Sequence, residues 1–321
     1  MAEIDKVWYA VVNPHAGSGK TVSEWPMAEQ LMQANGIDYE YRTTWRKCHA
    51  SEIAFEACGK GYRRFLAVGG DGTVHEVLDG IARFVESSDL TLSDFTLAVI
   101  PIGSGNDWIK ALKVPHSTET IIGMLKAERF TKQDIFKLSL KDGEGKCSVV
   151  SYMVNIGGVG FDANVCHRVN FEKESGKSGK ILYVKVLVQN IVGRHPFPCK
   201  VFADGELVYE GDAISLAMGI GKYSGGGMLQ VPYAVNNDGL IDFTVIPDLS
   251  LMKILRAVPG LFNGKLLTAN PELYSSRCAH LRIEVGGGMM ELVEVDGEVI
   301  GEVGGSFSLC ADLMDDQLNV L

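Results

Sequence analysis

Over the first 130 or so residues, short apolar runs alternate with stretches whose apolar residues recur at helical spacing. The runs are VWYAVV (7–12), YEYRTT (39–44), FLAVGG (65–70) and FTLAVIPIG (95–103). The helical stretches lie near 22–35, 50–60, 73–86 and 106–112. This alternation predicts βαβ units and a parallel sheet covered on both faces. From about 131 the texture changes. DIFKLSLKDGEGKCSVVSYMVNIG, CKVFADGELVYEGDAISLAMGIG and LRIEVGGGMMELVEVDGEVIG are strand runs broken by Asp-Gly and Gly-rich turns. That is the signature of antiparallel hairpins. Helices are expected near 179–192 and 249–262. Two domains follow: an α/β domain over 1–130, to which a tail from about 308 to 321 returns, and a β-rich domain over 131–307.

Composition narrows the class. The chain has 321 residues, 46% hydrophobic, with a net charge of −10. That balance argues against a nucleic-acid partner held by a general basic surface. The opening MAEIDKVWYAVV lacks the basic and long apolar regions of a signal peptide, and no stretch is long and apolar enough to span a bilayer. A cytoplasmic location is expected. Seven scattered cysteines, none in C-x-x-C, fit reduced thiols.

Three glycine-rich turns follow apolar strands. The first, NPHAGSGKT (13–21), ends like a P-loop, but Pro14 stands where the first glycine belongs. Proline has no N–H to offer a phosphate, so a P-loop is rejected. An anion site at a helix N-terminus and an ordinary βα turn both remain open. The second, AVGGDGTVHEVLDG (67–80), ends a strand in Gly69-Gly70-Asp71-Gly72-Thr73, with Glu76 expected in the first turn of the next helix. Asp71 is expected to face solvent at the carboxyl end of a parallel strand, where such sheets bind ligands. An acid in a phosphate turn makes sense beside Mg²⁺. The third, AVIPIGSGNDWIKAL (98–112), repeats the arrangement. Together they suggest a polyphosphate site built from backbone N–H groups. GGVGFDA (157–163) matches a dinucleotide fingerprint by count. With no helix and ribose-binding acid expected after it, it reads as a turn. EVDGEV (294–299) by itself reads as a plain hairpin.

The set NPHAGSGK, GGDGT, PIGSGNDW, NIGGVGFDA (155–163), YAVNNDGLID (233–242) and VDGE (295–298) resembles the diacylglycerol kinase catalytic domain family. That family includes bacterial lipid kinases, sphingosine kinases and ceramide kinases, and the resemblance spans nearly the whole chain. It implies an N-terminal Rossmann-like, NAD-kinase-like parallel-sheet domain that binds nucleotide, and a C-terminal antiparallel β-sandwich for the lipid. It implies an ATP- and Mg²⁺-dependent kinase acting on a lipid alcohol such as diacylglycerol or a sphingoid lipid. By the same resemblance Asn13, Pro14, His15, Ala16 and Gly17, then Gly70, Asp71, Gly72, Thr73, Val74, His75 and Glu76, contact ATP. Thr44 and Ser104 join them, and Asp71 lies near the Mg²⁺ and phosphates. Asp238, with the carbonyls of Val235 and Leu240, is implied as a structural Mg²⁺ site. Asp71, Asp296 and Glu298 are implied as catalytic, with Glu298 accepting the hydroxyl proton.

Two rivals are an NAD-kinase-like enzyme, which shares GGDGT, and a catalytically silent lipid- or nucleotide-binding regulator. A lipid substrate implies transient peripheral contact with a membrane; a homodimer is left open. Two segments interleave basic and apolar residues: 170–197, with Lys173, Lys177, Lys180, Lys185 and Arg194, and 251–267, with Lys253, Arg256 and Lys265. The first is the preferred docking surface because it is richer in lysine. In each, packing of the apolar face on the sheet is the competing reading.

Overall fold

A computed structural model describes residues 3–103, 105–174, 185–186, 189–191, 193, 195–287 and 290–321. The chain divides into two compact units, Met1–Ile135 with Asp315–Leu321, and Phe136–Met314.

In the first unit, strands β1 (Trp8–Val12), β2 (Tyr39–Thr43), β3 (Arg64–Gly69), β4 (Thr96–Pro101) and β5 (Thr131–Gln133) alternate with helices. The helices are α1 (Thr21–Ala34), α2 (His49–Gly59), α3 (Asp71–Glu86), α4 (Asp107–Leu112) and α5 (Thr118–Lys126). Every residue of β1 is buried, as are all but the end residues of β3 and β4. Continuous apolar runs of this kind suit strands sandwiched between helix layers. The order β2-β1-β3-β4 is parallel. The chain therefore steps one way from β1 to β2 and the other way through β3 to β4. With right-handed crossovers, α1 falls on one face and α2 and α3 on the other. The packing agrees: α1 contacts α5, and α2 contacts α3.

The sheet is not parallel throughout. The last strand, β19 (Leu318–Val320), inserts between β4 and β5, parallel to β4 and antiparallel to β5. The stretch joining this unit is Asp315–Leu321. Residues 307–313 form a strand of the second unit, because Phe307, Leu309 and Ala311 alternate into that unit's core.

The second unit holds β6 (Phe136–Asp142), β7 (Cys147–Met153), β8 (Ile156–Gly160), β9 (Phe197–Ala203), β10 (Glu206–Gly219), the short pair β11 (Tyr223–Ser224) and β12 (Met228–Leu229), and β13 (Ile241–Pro247). It continues with β14 (Tyr274–Cys278), β15 (His280–Val285), β16 (Met290–Val295), β17 (Glu298–Gly304) and β18 (Phe307–Leu313). Its helices are α6 (Phe161–Glu174), α7 (Leu251–Asn263) and α8 (Leu266–Ala269). The helix expected near 179–192 falls mostly outside the described residues. The main sheet runs β17-β16-β8-β10-β9-β15-β18-β6-β7, with β13 and β14 attached beside β10. The long strand β10 pairs with β9 through Ala213, then with β8 from Ser215 onward, while its pairing with β13 runs from Ala213 across a bulge before Ser215. A bulge bends and twists a strand, so β10 carries the sheet round on itself. Side chains from β6, β8, β9, β10, β13, β15, β16 and β18 then share one core. Asp204-Gly205 and Asp296-Gly297 turn their hairpins with positive φ, as Asp-Gly pairs do.

The GGVGFDA motif departs from expectation. Gly157, Gly158 and Gly160 lie within β8, and α6 starts at Phe161 directly after them. A helix does follow, but β8 is antiparallel to both neighbours, so no Rossmann unit forms. The glycine at 157 serves close packing, since a Cβ there would lie 2.8 Å from the Glu294 carbonyl. All seven cysteines are free thiols. Burial pushes the Cys58, Cys199 and Cys278 thiols up to about 12, which makes them unreactive.

Glu291 on β16 is 6% exposed, beside a cavity of ≈ 250 Å³ bordered by Phe161, Ile214 and Asn164. Burial alone raises its carboxyl from 4.5 to about 7. The unfolded chain loses that proton near 4.5 and the folded chain holds it to about 7, so stability falls as pH rises through that window. Glu291→Gln is therefore expected to match the parent in urea unfolding at pH 4.5 and to exceed it by about 3 kcal/mol at pH 8. Equal stabilities at pH 8 would show that the carboxyl is solvated.

Candidate active site

The order reversal between β1 and β3 makes the carboxyl ends of these strands the switch point of the first unit's sheet, where open α/β sheets bind ligands. All three glycine-rich turns leave the sheet there, and each is tied to the other two. Asn13 donates from Nδ2 to Thr73 Oγ1 at 3.1 Å, joining the first turn to the second. Its Oδ1 accepts the His15 N–H at 3.0 Å, which shapes the turn around Pro14. Gly17, Ser18 and Gly19 all have positive φ. A Cβ on Gly17 would overlap the Ile102 carbonyl, so the first turn rests on the third through a glycine. A Cβ on Gly70 would lie 3.1 Å from Gly103 Cα, so the second and third turns touch backbone to backbone.

Asp71 makes the strongest tie. Its Oδ2 accepts the Asp107 N–H and its Oδ1 the Trp108 N–H, each at 3.1 Å. These are orphan donors of the first turn of α4. The carboxylate expected to face solvent in a cleft instead caps the next helix in the sheet, with favourable alignment to its dipole. Asn106, in the left-handed conformation, closes the third turn by accepting the Gly103 N–H at 3.1 Å and donating to the Gly103 carbonyl at 3.0 Å. Asp107 is 5% exposed and paired with Lys110 at 2.8 Å. An Asn directly after G-x-G, where a turn needs positive φ, is the sequence signal for this role.

Glu76 also differs from expectation. Helix α3 begins at Asp71, so Glu76 lies in its second turn. Its carboxylate accepts the Cys48 N–H at 2.8 Å and the Ala50 N–H at 3.0 Å, capping α2. Thr44 is buried, and its N–H extends the ladder to Val12 O at 2.8 Å. Thr73, Val74 and His75 are buried, so their side chains face the protein interior. Gly70, Gly72, Pro14, His15 and Ala16 line the outer part of the turns. Ser104 lies outside the described residues.

In the second unit, Asp296 sits in the left-handed first position of the β16–β17 turn and is 5% exposed. Oδ2 accepts the Val154 N–H at 3.0 Å, and Oδ1 accepts those of Asn155 at 2.9 Å and Ile156 at 3.1 Å. The Asp296 N–H returns to Ile156 O at 2.7 Å. Glu294 supports the same turn by accepting the Gly297 N–H at 3.0 Å. Asp296 is thus a buried anion that fixes the start of β8, and Glu298 follows it as the half-buried first residue of β17.

The loop implied to hold a structural Mg²⁺ does not present an open carboxylate. Arg277 Nη2 lies 2.5 Å from Asp238 Oδ2 and 3.3 Å from Asp242 Oδ2. Asp238 Oδ1 accepts the Leu240 N–H at 3.2 Å. The single Arg277 guanidinium is shared between the two acids, and Val235 is exposed. Among the described residues no group of three or more His, Cys, Asp or Glu is placed to hold a metal. In this arrangement Asp238, implied with Val235 and Leu240 as a structural Mg²⁺ site, is paired with Arg277. Burial raises the Asp242 carboxyl, an effect the Arg277 charge opposes.

Comparison with known proteins gives the following. Residues 7–138 match the model of the diacylglycerol kinase catalytic domain, and residues 155–320 match that of the YegS C-terminal NAD kinase beta sandwich-like domain. A probable lipid kinase YegS-like protein of Xanthomonas campestris is 25% identical over 245 residues, 76% of this chain and 74% of the relative. A diacylglycerol kinase of Mycobacterium tuberculosis is 26% identical over 285 residues, 89% of this chain and 87% of its own. The crystal structure of a putative diacylglycerol kinase from Bacillus anthracis superposes with a TM-score of 0.73 at 22% identity, covering 99% of this chain and 98% of that one. Yeast NADH kinase shares the fold more distantly, with a TM-score of 0.54 at 13% identity, over 98% of this chain and 82% of that one.

Two outcomes test the geometry. Asp71→Asn keeps one acceptor oxygen and turns an amide toward the second N–H; it is expected to cost about 1–3 kcal/mol and to speed hydrogen exchange at the Asp107 and Trp108 amides. Unchanged exchange there would break the proposed tie. Asp296→Ala strands three buried N–H groups and is expected to lower stability by at least about 3 kcal/mol in chemical denaturation. A loss under about 1 kcal/mol would mean that water replaces the carboxylate.

Proposed function

The chain belongs to the family that joins a diacylglycerol kinase catalytic domain to a YegS C-terminal domain, and from that premise we propose that it is an ATP-dependent lipid kinase. Its acceptor is the hydroxyl of a lipid alcohol, with diacylglycerol the first candidate, as the name of the mycobacterial relative suggests. The observation that carries the reading is the convergence of three mutually tied glycine turns on one switch point. Such turns present backbone N–H groups without side chains in the way, which suits a nucleoside triphosphate. The first unit is then the nucleotide domain and the second the lipid domain.

In the proposed reaction the lipid oxygen attacks the γ-phosphorus of MgATP, the bond to the β-phosphate oxygen breaks, and ADP leaves. Magnesium enters with ATP as part of the substrate and spreads the phosphate charge; no step is assigned to the Asp238 loop. Phosphoryl transfer asks a protein mainly for positioning and charge neutralisation. Asn13, Gly17, Gly70, Gly72 and Thr73 hold the turns that receive the phosphates, with Ser104 and Thr44 assigned by resemblance. Asp71 acts as a positioning residue through α4, and Glu76 through α2. Glu298 accepts the hydroxyl proton, and Asp296 positions it by fixing the turn that precedes it.

A transfer assay with γ-labelled ATP, NAD and a panel of diacylglycerol, sphingoid base and ceramide tests the reading. Label in the organic-extractable product supports it; label in NADP would mean an NAD kinase, and no label a silent binder. Glu298→Gln is expected to lower kcat by about a hundredfold or more, with the KM for ATP and the thermal midpoint unchanged. A KM effect without a kcat effect would remove Glu298 from the chemistry.

A further inference from the structure

Helix α7 (Leu251–Asn263) is apolar on two faces. Ile254, Ala257 and Leu261 are buried, with exposures of 8–9%, and pack with Val165, Val169 and Leu266. Leu251, Met252, Leu255 and Phe262 are exposed by 37%, 59%, 42% and 47%. At about 100° per residue these four and the exposed Pro259 fall within roughly 100° of arc, turned well away from the buried side chains. An ordinary surface helix carries polar residues on that arc. A contiguous exposed apolar stripe of this kind marks an interaction surface.

The charge around the stripe selects the occupant. From 251 to 271 the chain carries Lys253, Arg256 and Lys265 and neither Asp nor Glu, although the whole protein has a net charge of −10. Lys253 reaches back to Glu272 at 3.2 Å. Arg256 lies about 40° beyond the edge of the apolar arc, and Lys265 is exposed just past the helix end. A second copy docked through the same face would bring the Arg256 and Lys265 of both copies together, like charge against like. An anionic bilayer matches both stripe and cations, since its surface attracts Lys and Arg while its interfacial region takes Leu, Met and Phe.

We propose that the outward face of α7 docks the protein on anionic lipid bilayers, with Leu251, Met252, Leu255 and Phe262 entering the interface and Arg256 and Lys265 meeting the headgroups. This names the surface that delivers the protein to its substrate, and in that sense it rests on the lipid-kinase reading. In the other basic segment, 170–197, Lys177, Lys180 and Arg194 lie outside the described residues.

The test is co-sedimentation of the full chain with vesicles of phosphatidylglycerol and of phosphatidylcholine. Binding is expected to favour phosphatidylglycerol and to weaken with salt. Leu255→Asp with Phe262→Asp, and separately Arg256→Glu with Lys265→Glu, are each expected to weaken it by about tenfold or more. All four positions are exposed, so circular dichroism and thermal midpoint should match the parent; if the aspartates perturb folding, Leu255→Gln with Phe262→Gln replaces them. Parent-like binding by either pair of variants, equal binding to both vesicles, or a lipid-free dimer that Leu255→Asp with Phe262→Asp dissolves would overturn the proposal. Phosphoryl transfer to lipid alcohol in detergent micelles separates the two readings. Transfer without vesicle binding removes the docking face alone, and vesicle binding through α7 without transfer removes the kinase alone.

Discussion

The Asp71 carboxylate is the interaction on which the candidate site depends. Glycine turns leave room for a ligand because they lack side chains, and for the same reason they cannot hold themselves in place. Here a charged acceptor on one turn takes two N–H groups from the helix that follows another. Bonds of this kind to an ionised acceptor are about twice as strong as neutral ones. They also place a negative charge against the positive end of α4. Removing the carboxylate releases the third turn from the second, and with it the surface on which Gly17 rests.

Helix α3 extends this role in two directions. Asp71 reaches α4, while Glu76, five residues on and roughly 140° round the helix, reaches α2. One short stretch, Asp71-Gly72-Thr73-Val74-His75-Glu76, therefore sets the N-termini of the helices on either side, and Thr73 adds the link to Asn13. The second unit uses the same device. Asp296 collects three N–H groups at the start of β8, and Glu294 a fourth in the turn itself. The acids most readily noticed as candidates for chemistry are the ones that organise backbone. Asp238 follows suit, with Arg277 supplying the positive charge that the resemblance assigned to a metal.

The two faces of α7 illustrate a different balance. Its inner face closes a satellite core with α6 and α8. Its outer face leaves apolar area in water that folding alone does not require. Such area costs free energy in the free protein and is regained only on contact with something apolar.

Much of this was legible in the sequence. The strand runs, the change of texture near 131, the glycine turns and their order along the chain follow from periodicity and local turn chemistry, which act over a few residues. The sequence alone determined that three turns would leave one edge of a parallel sheet. Only the tertiary structure decided what each acid does there, because a carboxylate is claimed by whichever N–H groups the fold brings within 3 Å or so. Asp71 meets residues 36 and 37 positions away, and Asp296 meets residues 140 to 142 positions away. The same holds for the antiparallel setting of GGVGFDA, the insertion of β19 between β4 and β5, and the claim of Arg277 on Asp238. Local sequence carries no record of partners so distant, and burial sets how strongly each partner is needed.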